Sequence, residues 1–138
     1  MSEAGIDRFR DAARGFVQFE RTPDRVITSP LVRARQTAEL LAHAATPPIP
    51  VVELEELSPG YSPAAVMAKV RKLGDWDRVA LVGHEPDLGH LAAHLVSAKY
   101  PLPFKKGGMC RIDIVWDRPV QGTLVWFLPP KALRQLGG

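Results

Sequence analysis

The stretch that most constrains the fold is "DRVALVGH", residues 77 to 84, in which Val79, Ala80, Leu81 and Val82 follow one another without a polar break. A half-buried strand alternates apolar and polar residues, whereas a continuous apolar run is suited to burial on both faces. Such a strand needs helices above and below it, and the flanking sequence supplies them. Residues 2 to 19 carry Phe9, Ala13, Phe16 and Val17 at helical spacing behind Ser2, a candidate N-cap. "DRVITSP" is a short β-branched run stopped by Ser-Pro. The helix expected after it has Ser29 as N-cap, Pro30 in the first turn, and Leu31, Ala34, Ala38 and Leu41 as one apolar stripe to about His43. After the proline-stiffened "ATPPIP", "VVELEEL" reads as a strand. Ser62-Pro63 repeats the cap logic for a helix through about Leu73, and residues 86 to 98 form another helix. "CRIDIVWD" and "TLVWFLP" read as an antiparallel hairpin turning at "RPVQG". Strands alternating with helices imply an α/β fold: a three-layer α/β/α sandwich with a mostly parallel sheet and a C-terminal antiparallel hairpin.

Composition narrows the function classes. The 138 residues show no repeat, low-complexity stretch or linker, so residues 1–138 read as a single domain. Cys110 is the only cysteine, which excludes an intrachain disulfide and a CxxC metal knuckle. No apolar run approaches the roughly 20 residues needed to cross a bilayer. "MSEAGIDRFRDAARG" is charged from its third residue and has no apolar signal core. A cytoplasmic protein without a membrane partner is therefore expected. The net charge of +3 is small and spread out. Its basic residues are not clustered with interleaved aromatics, so a nucleic-acid-binding module is the least favoured reading.

In open α/β sheets, ligands bind beyond the carboxyl ends of strands, where helix N-termini converge. Two segments have that form, "ITSPLVR" and "LVGHEP", each running from a strand into a helix N-terminus. Arg33 is expected about one turn into its helix, on the flank of the apolar stripe beside Thr37 and Leu40, from where it can lean toward the strand ends. His84 is expected at the last residue of its strand. An arginine, an imidazole and two helix N-termini at one edge make an anion site, and phosphate is the natural anion.

The segments "TSPLVRARQTAELL" and "VALVGHEPDL" resemble two signatures of the histidine phosphatase superfamily (phosphoglycerate mutase-like), in the form seen in small bacterial SixA-type phosphohistidine phosphatases. "ELSPGYSP", "FKKGG" and "TLVWFLPPKALR" extend the resemblance over nearly the whole chain. The resemblance implies a nucleophilic histidine that attacks phosphorus and forms a phosphohistidine intermediate, without metal or organic cofactor. It implies that Arg33 holds phosphate oxygens and that His84 is the second pocket histidine, donating to the transferring phosphoryl group. The expected partners are a phosphorylated protein carrying phosphohistidine or a small phosphate ester. Many members of the family use a carboxylate as general acid, and Glu56 in "ELEELSPG" falls in roughly that region, close in sequence to Glu53 and Glu55.

One family element has no counterpart. The family opens on a strand ending in Arg-His-Gly or Arg-His-Ala, whose histidine is the nucleophile. No Arg-His pair occurs here, and "SEAG" resembles the family's T-E-x-G entry to its first helix. The chain therefore reads as the family's domain truncated at its N-terminus, with no nucleophile among its own residues. The alternative is a pseudoenzyme that binds phosphate or a phosphoprotein without turnover. Loss of that strand is expected to leave unpaired backbone groups and an apolar gap in the sheet.

Other candidates have plainer readings. Arg35 points away from Arg33 and is expected to pair with Glu39. His90 and His94 lie four apart, which is zinc-ligand spacing, but "HEPDL" is not HExxH and no third ligand stands nearby. They read as a helix-surface pair, and no metal site is expected. His43 reads as a helix C-terminal residue interacting with the helix dipole. Lys105 and Lys106 read equally as a solvated loop or as guides for an anionic partner, and Trp116, Trp126 and Phe127 as core or its edge.

Overall fold

The computed structural model describes residues 1–137. Helix α1 (Glu3–Phe19) starts where Ser2 Oγ accepts the Gly5 N–H at 3.0 Å. Its apolar stripe of Phe9, Ala12, Ala13 and Phe16 is buried. Strand β1 (Arg25–Thr28), helix α2 (Val32–His43) and the short strand β2 (Val51–Glu53) follow, then a 3₁₀ turn at Glu55–Leu57. Helix α3 (Pro63–Leu73) is capped by Ser62 through Ala65 N–H, with Pro63 opening its first turn as expected. Strand β3 (Val79–Val82) leads to α4 (Asp87–Val96), the hairpin β4 (Met109–Val115) and β5 (Gln121–Leu128), and a last helix α5 (Pro130–Gly137).

The strands fall into two groups. β2, β1 and β3 form a parallel sheet in that order, with Ile27 facing Val52 on one side and Leu81 on the other. β4 and β5 pair only with each other, antiparallel, with a register shift between Arg111 and Ile112. Alternate side chains of each group serve opposite cores. Val26 and Val82 pack with α1, α2 and Leu133 of α5; Ile27 packs with Leu57, α3 and α4. The hairpin follows the same rule, with Met109, Trp126 and Leu128 on the first cluster and Ile112 and Ile114 on the second. It thus prolongs the sheet layer, and the three-layer α/β/α architecture is as expected.

Several details differ from the sequence reading. β3 is the edge of its three-stranded sheet, and Val79, Ala80 and Leu81 are only half-buried, although their apolar run suits a central strand. "VVELEEL" splits into a three-residue strand and the 3₁₀ turn. Helix α5 was not foreseen. It is brought against α1 by a close backbone approach: a Cβ on Gly15 would fall on the Leu133 carbonyl oxygen, so only glycine admits this contact. Leu133 beneath it is fully buried.

One polar cluster ties the hairpin to the parallel sheet. Glu20, just past α1, accepts the Trp126 indole N–H at 2.9 Å and the Arg111 guanidinium at 3.1 Å on both carboxylate oxygens. Arg78, just before β3, lies 3.6 Å away. The Trp126 hydrogen bond outweighs the opposing effect of burial and, with Arg111, holds the Glu20 carboxyl below the usual range. The Trp126 ring also meets Phe16 and Phe19 at tilted angles, with centroids 6.2 and 5.1 Å away.

Candidate active site

The site is built where β1 and β3 end side by side. Beyond the last paired residues, Ser29 N–H donates to the Val82 carbonyl at 2.9 Å, which keeps the two chains together one step further. Thr28 and Ser29 are both fully buried, and Thr28 Oγ1 donates to the Ser29 carbonyl at 3.0 Å. Ser29 was expected to cap α2. Instead the helix begins at Val32 with Leu31 at the N-cap position. Ser29 Oγ accepts the Leu31 N–H at 3.2 Å and lies 2.9 Å from His84 Nε2. The reason for the later start is that Ser29 continues β1 and turns its hydroxyl toward a tertiary partner.

His84 lies two residues past β3, not at its last residue, because Gly83 intervenes before the chain turns into α4. The ring is half-buried; with Nε2 held by Ser29, Nδ1 has no protein partner among the described residues. The turn behind it is pinned at several points. His84 O accepts the Leu88 N–H, and the Glu85 carboxylate caps α4 through the Gly89 N–H at 3.0 Å. Burial raises the Glu85 pKa from its ordinary value. Asp87 Oδ2 accepts the Gly60 N–H at 3.0 Å, drawing the "SPGYSP" loop against α4. Gly60 has φ +102°, a conformation that side chains disfavour, so glycine suits this turn.

His84 opens onto a narrow cleft with about 10 Å³ of free space, roughly enough for one water molecule. Glu56, Ser58, Tyr61 and Asp87 share its polar lining, above an apolar floor that includes Leu57, Val66 and Leu91. Glu56 is half-buried and so lies on the same cleft as His84. Ser58 Oγ is buried with no hydrogen-bond partner in the protein.

Arg33 is the second residue of α2, nearer the helix start than expected, and it is exposed. Its guanidinium forms no hydrogen bond or ion pair among the described residues. The neighbouring cations differ. A groove of about 840 Å³ between α1 and α2 includes Arg10, Arg14 and Arg35, but each is matched by a carboxylate: Asp7, Asp11 and Glu39, respectively. Arg35 also meets Glu53. The expected Arg35–Glu39 pair is therefore present, whereas Arg33 has no ion-pair partner among the described residues. The structure joins His84 to the start of α2 through Ser29 but shows no direct contact between Arg33 and His84.

The pattern of the histidine phosphatase superfamily (branch 1) matches residues 1–63. An uncharacterized protein of Picosynechococcus sp. (strain ATCC 27264 / PCC 7002 / PR-6) is 40% identical over 116 residues, covering 79% of this chain and 68% of that protein. The phosphohistidine phosphatase SixA of Escherichia coli (strain K12) is 28% identical over 113 residues, covering 80% of this chain and 69% of SixA. The structure of the protein histidine phosphatase SixA complexed with tungstate superposes with a TM-score of 0.84 at 27% identity, covering 96% of this chain and 85% of that one. The chain belongs to the histidine phosphatase superfamily.

Membership in the histidine phosphatase superfamily and similarity to SixA support phosphatase function. The remaining candidates fall away from the site. His90 and His94 are both exposed on α4, with no group of metal-ligating side chains among the described residues. His43 Nδ1 lies 2.9 Å from the Glu39 carbonyl, at the end of α2. Lys105 and Lys106 are exposed in a loop, and Trp126 packs on the core. Trp116 sits past β4 under Arg71, whose guanidinium lies 5.3 Å from its ring centroid. No helix of the described residues is long and apolar enough to cross a membrane. Ser29, Ser58, Tyr61 and Asp87 were not singled out as site residues by the sequence. Ser58 and Tyr61 lie in "ELSPGYSP" and Asp87 in "VALVGHEPDL", segments that the sequence marked without assigning these residues a role, while the Ser-Pro step at Ser29 equally describes a helix cap.

Proposed function

We propose that this domain is a phosphohistidine phosphatase-type hydrolase of phosphoric monoesters or phosphoramidates, with Arg33 and His84 binding the phosphoryl group. The observation that carries the reading is the pairing of two features at neighbouring strand ends. His84 is fixed through Ser29 Oγ at 2.9 Å, and Arg33 is an unpaired guanidinium at the start of α2, whereas Arg10, Arg14 and Arg35 are each paired with a carboxylate. An unpaired guanidinium near a helix N-terminus favours a phosphoryl dianion through charge and forked hydrogen bonds. The similarity to SixA, a phosphohistidine phosphatase, supports the same substrate class.

The reaction needs a nucleophile that the 138 residues do not offer at this site. In the complete domain we assign it to a histidine on a further strand lying along the free edge of β3, between β3 and the hairpin. The half-exposed Val79, Ala80 and Leu81 and the separate pairing of β4 with β5 support that placement. The histidine nitrogen bonds to phosphorus while the bond to the leaving group breaks, Arg33 offsets the charge on the phosphoryl oxygens, and His84 donates to one of them. We assign protonation of the departing group to Glu56, a reading supported by its place on the same cleft as His84. Water then attacks phosphorus, releasing phosphate and the free histidine.

A second reading, binding of phosphate or phosphoprotein without turnover, is favoured by the lack of any Arg-His pair in the sequence. Both readings require the phosphoryl pocket. Titration of the 138-residue chain with phosphate or vanadate tests it: Arg33→Ala and His84→Ala should each weaken binding by about tenfold or more, the value of one charge-assisted hydrogen bond. If both variants bind like wild type, the pocket is misassigned. Release of phosphate from a phosphohistidine peptide by a form carrying the added strand, and not by the 138-residue chain alone, separates hydrolase from binder.

A further inference from the structure

We infer that Ser29 is a positioning residue that sets the tautomer of His84, placing the proton of the neutral ring on Nδ1. This rests on the phosphoryl reading only for its consequence; the tautomer itself follows from a hydrogen-bond account of one buried hydroxyl.

Ser29 is fully buried, so water does not complete its hydrogen bonding. A serine hydroxyl has one proton to donate and two lone pairs to accept with. Leu31 N–H, at 3.2 Å, occupies one lone pair. The backbone groups are already used: Ser29 N–H by Val82 and the Ser29 carbonyl by Thr28 Oγ1. The hydroxyl proton then has one acceptor within reach among the described residues, His84 Nε2 at 2.9 Å. If Nε2 carried the proton, it would donate to Ser29 Oγ, and the hydroxyl proton would be left buried without an acceptor, a costly arrangement. The arrangement that satisfies every group has Ser29 O–H donating to a bare Nε2 and the ring proton on Nδ1.

The consequence reaches the site. Nδ1 is the nitrogen without a protein partner, on a ring that opens onto the cleft. With Ser29 in place, neutral His84 presents an N–H there, and a phosphoryl oxygen meets a donor without prior proton uptake. With the opposite tautomer it would meet a lone pair and be repelled. Ser29 thereby selects what His84 offers without itself touching substrate.

The test is ¹⁵N NMR of the histidine rings of the uniformly labelled 138-residue chain at about pH 8.5, where unperturbed imidazoles are neutral. His84, identified by the peaks lost in His84→Ala, should show a protonated Nδ1 and a bare Nε2. Exposed His90 and His94 serve as internal references in the same spectrum. In Ser29→Ala the His84 ring should move toward the Nε2–H form that free imidazoles favour, and phosphate affinity should fall about fivefold to tenfold, the scale of one neutral hydrogen bond. A wild-type His84 protonated on Nε2 overturns the inference, as does a folded Ser29→Ala that keeps the Nδ1–H form. If Ser29→Ala fails to fold, the wild-type spectrum alone decides. The expected tautomer in a chain that binds no phosphate upholds the inference and overturns the phosphoryl reading.

Discussion

Glu20→Gln isolates the cluster that fastens the hairpin to the parallel sheet. The Glu20 side chain is 12% exposed, and Arg78 and Arg111 are 27% and 29% exposed, so solvent screens these contacts less than an ordinary surface pair. The carboxylate accepts from Trp126 Nε1 and from Arg111 on both oxygens. Glutamine keeps one acceptor oxygen, but removes the negative charge and turns an NH₂ group toward donors. Hydrogen bonds to charged groups contribute about 1.5–3 kcal/mol, and Arg111 retains Asp113 at 2.8 Å as a second partner. A loss of about 2 kcal/mol is therefore expected, or a fall of roughly 6–10 °C in Tm for a chain of this size.

The pH dependence has a definite sign. The folded-state pKa of Glu20 is lowered, chiefly by Trp126 and then by Arg111, so the stability it contributes is fully present above the unfolded carboxylate range. That stability disappears as pH falls through the folded value, below about 4.3. Urea unfolding at pH 7 should show the full gap between wild type and Glu20→Gln, and the gap should close progressively in acid, as pH falls through the lowered folded-state value and wild-type Glu20 takes up its proton. A double-mutant cycle with Arg111→Ala should return a favourable coupling between the two residues. If Glu20→Gln matches wild type within about 0.5 kcal/mol at pH 7, or if the gap is unchanged in acid, the cluster is not a clamp.

Ser58→Ala removes a buried hydroxyl that has no protein partner, so it should leave stability unchanged or raise it by about 1 kcal/mol. A loss of more than about 1 kcal/mol in urea unfolding would show that the hydroxyl is satisfied by a tightly held water in the cleft. Gly15→Ala should lower stability by about 3 kcal/mol or more, because the new methyl collides with the Leu133 backbone and must displace α5 from α1. Faster amide exchange confined to α5 and the facing turn of α1 would locate the damage. A variant with wild-type stability would refute the close approach.

Where the governing rule is local, the sequence was a good guide. Ser2 and Ser62 cap the helices they precede, and of the stripe expected on α2, Ala34, Ala38 and Leu41 are buried, while Leu31 is exposed because the later helix start leaves it at the N-cap. The positions of the two site segments at adjacent strand ends also followed from strand–helix alternation. Helix α5 did not, because its docking depends on the absence of a side chain at Gly15, more than 100 residues earlier in the chain, and its own amphipathic run is only eight residues long. A gap in the sheet was expected, but that β3 is the strand bordering it was equally hidden. Its residues are apolar enough for a central strand, and only the pairing shows that one edge lacks a neighbour.

Ser29 shows why the chemistry of the site was the least legible part. A Ser-Pro step before an apolar stripe satisfies the rule for a helix cap, and by that rule the hydroxyl belongs to the nearest free backbone N–H. Ser29 does meet Leu31 N–H, but with a lone pair only, and the proton remains to be placed. In an exposed cap water would take it and the local rule would be complete. Full burial removes that option, and the partner becomes His84, 55 residues along the chain. Identical residues would therefore form a simple cap on an exposed helix and a tautomer-setting contact here, the difference being access to water. By the same reasoning the unpaired Arg33 gains meaning from its surroundings. The sequence does not distinguish Arg33 from Arg10, Arg14 and Arg35, and only the structure shows that these three are ion-paired while Arg33 has no such partner among the described residues.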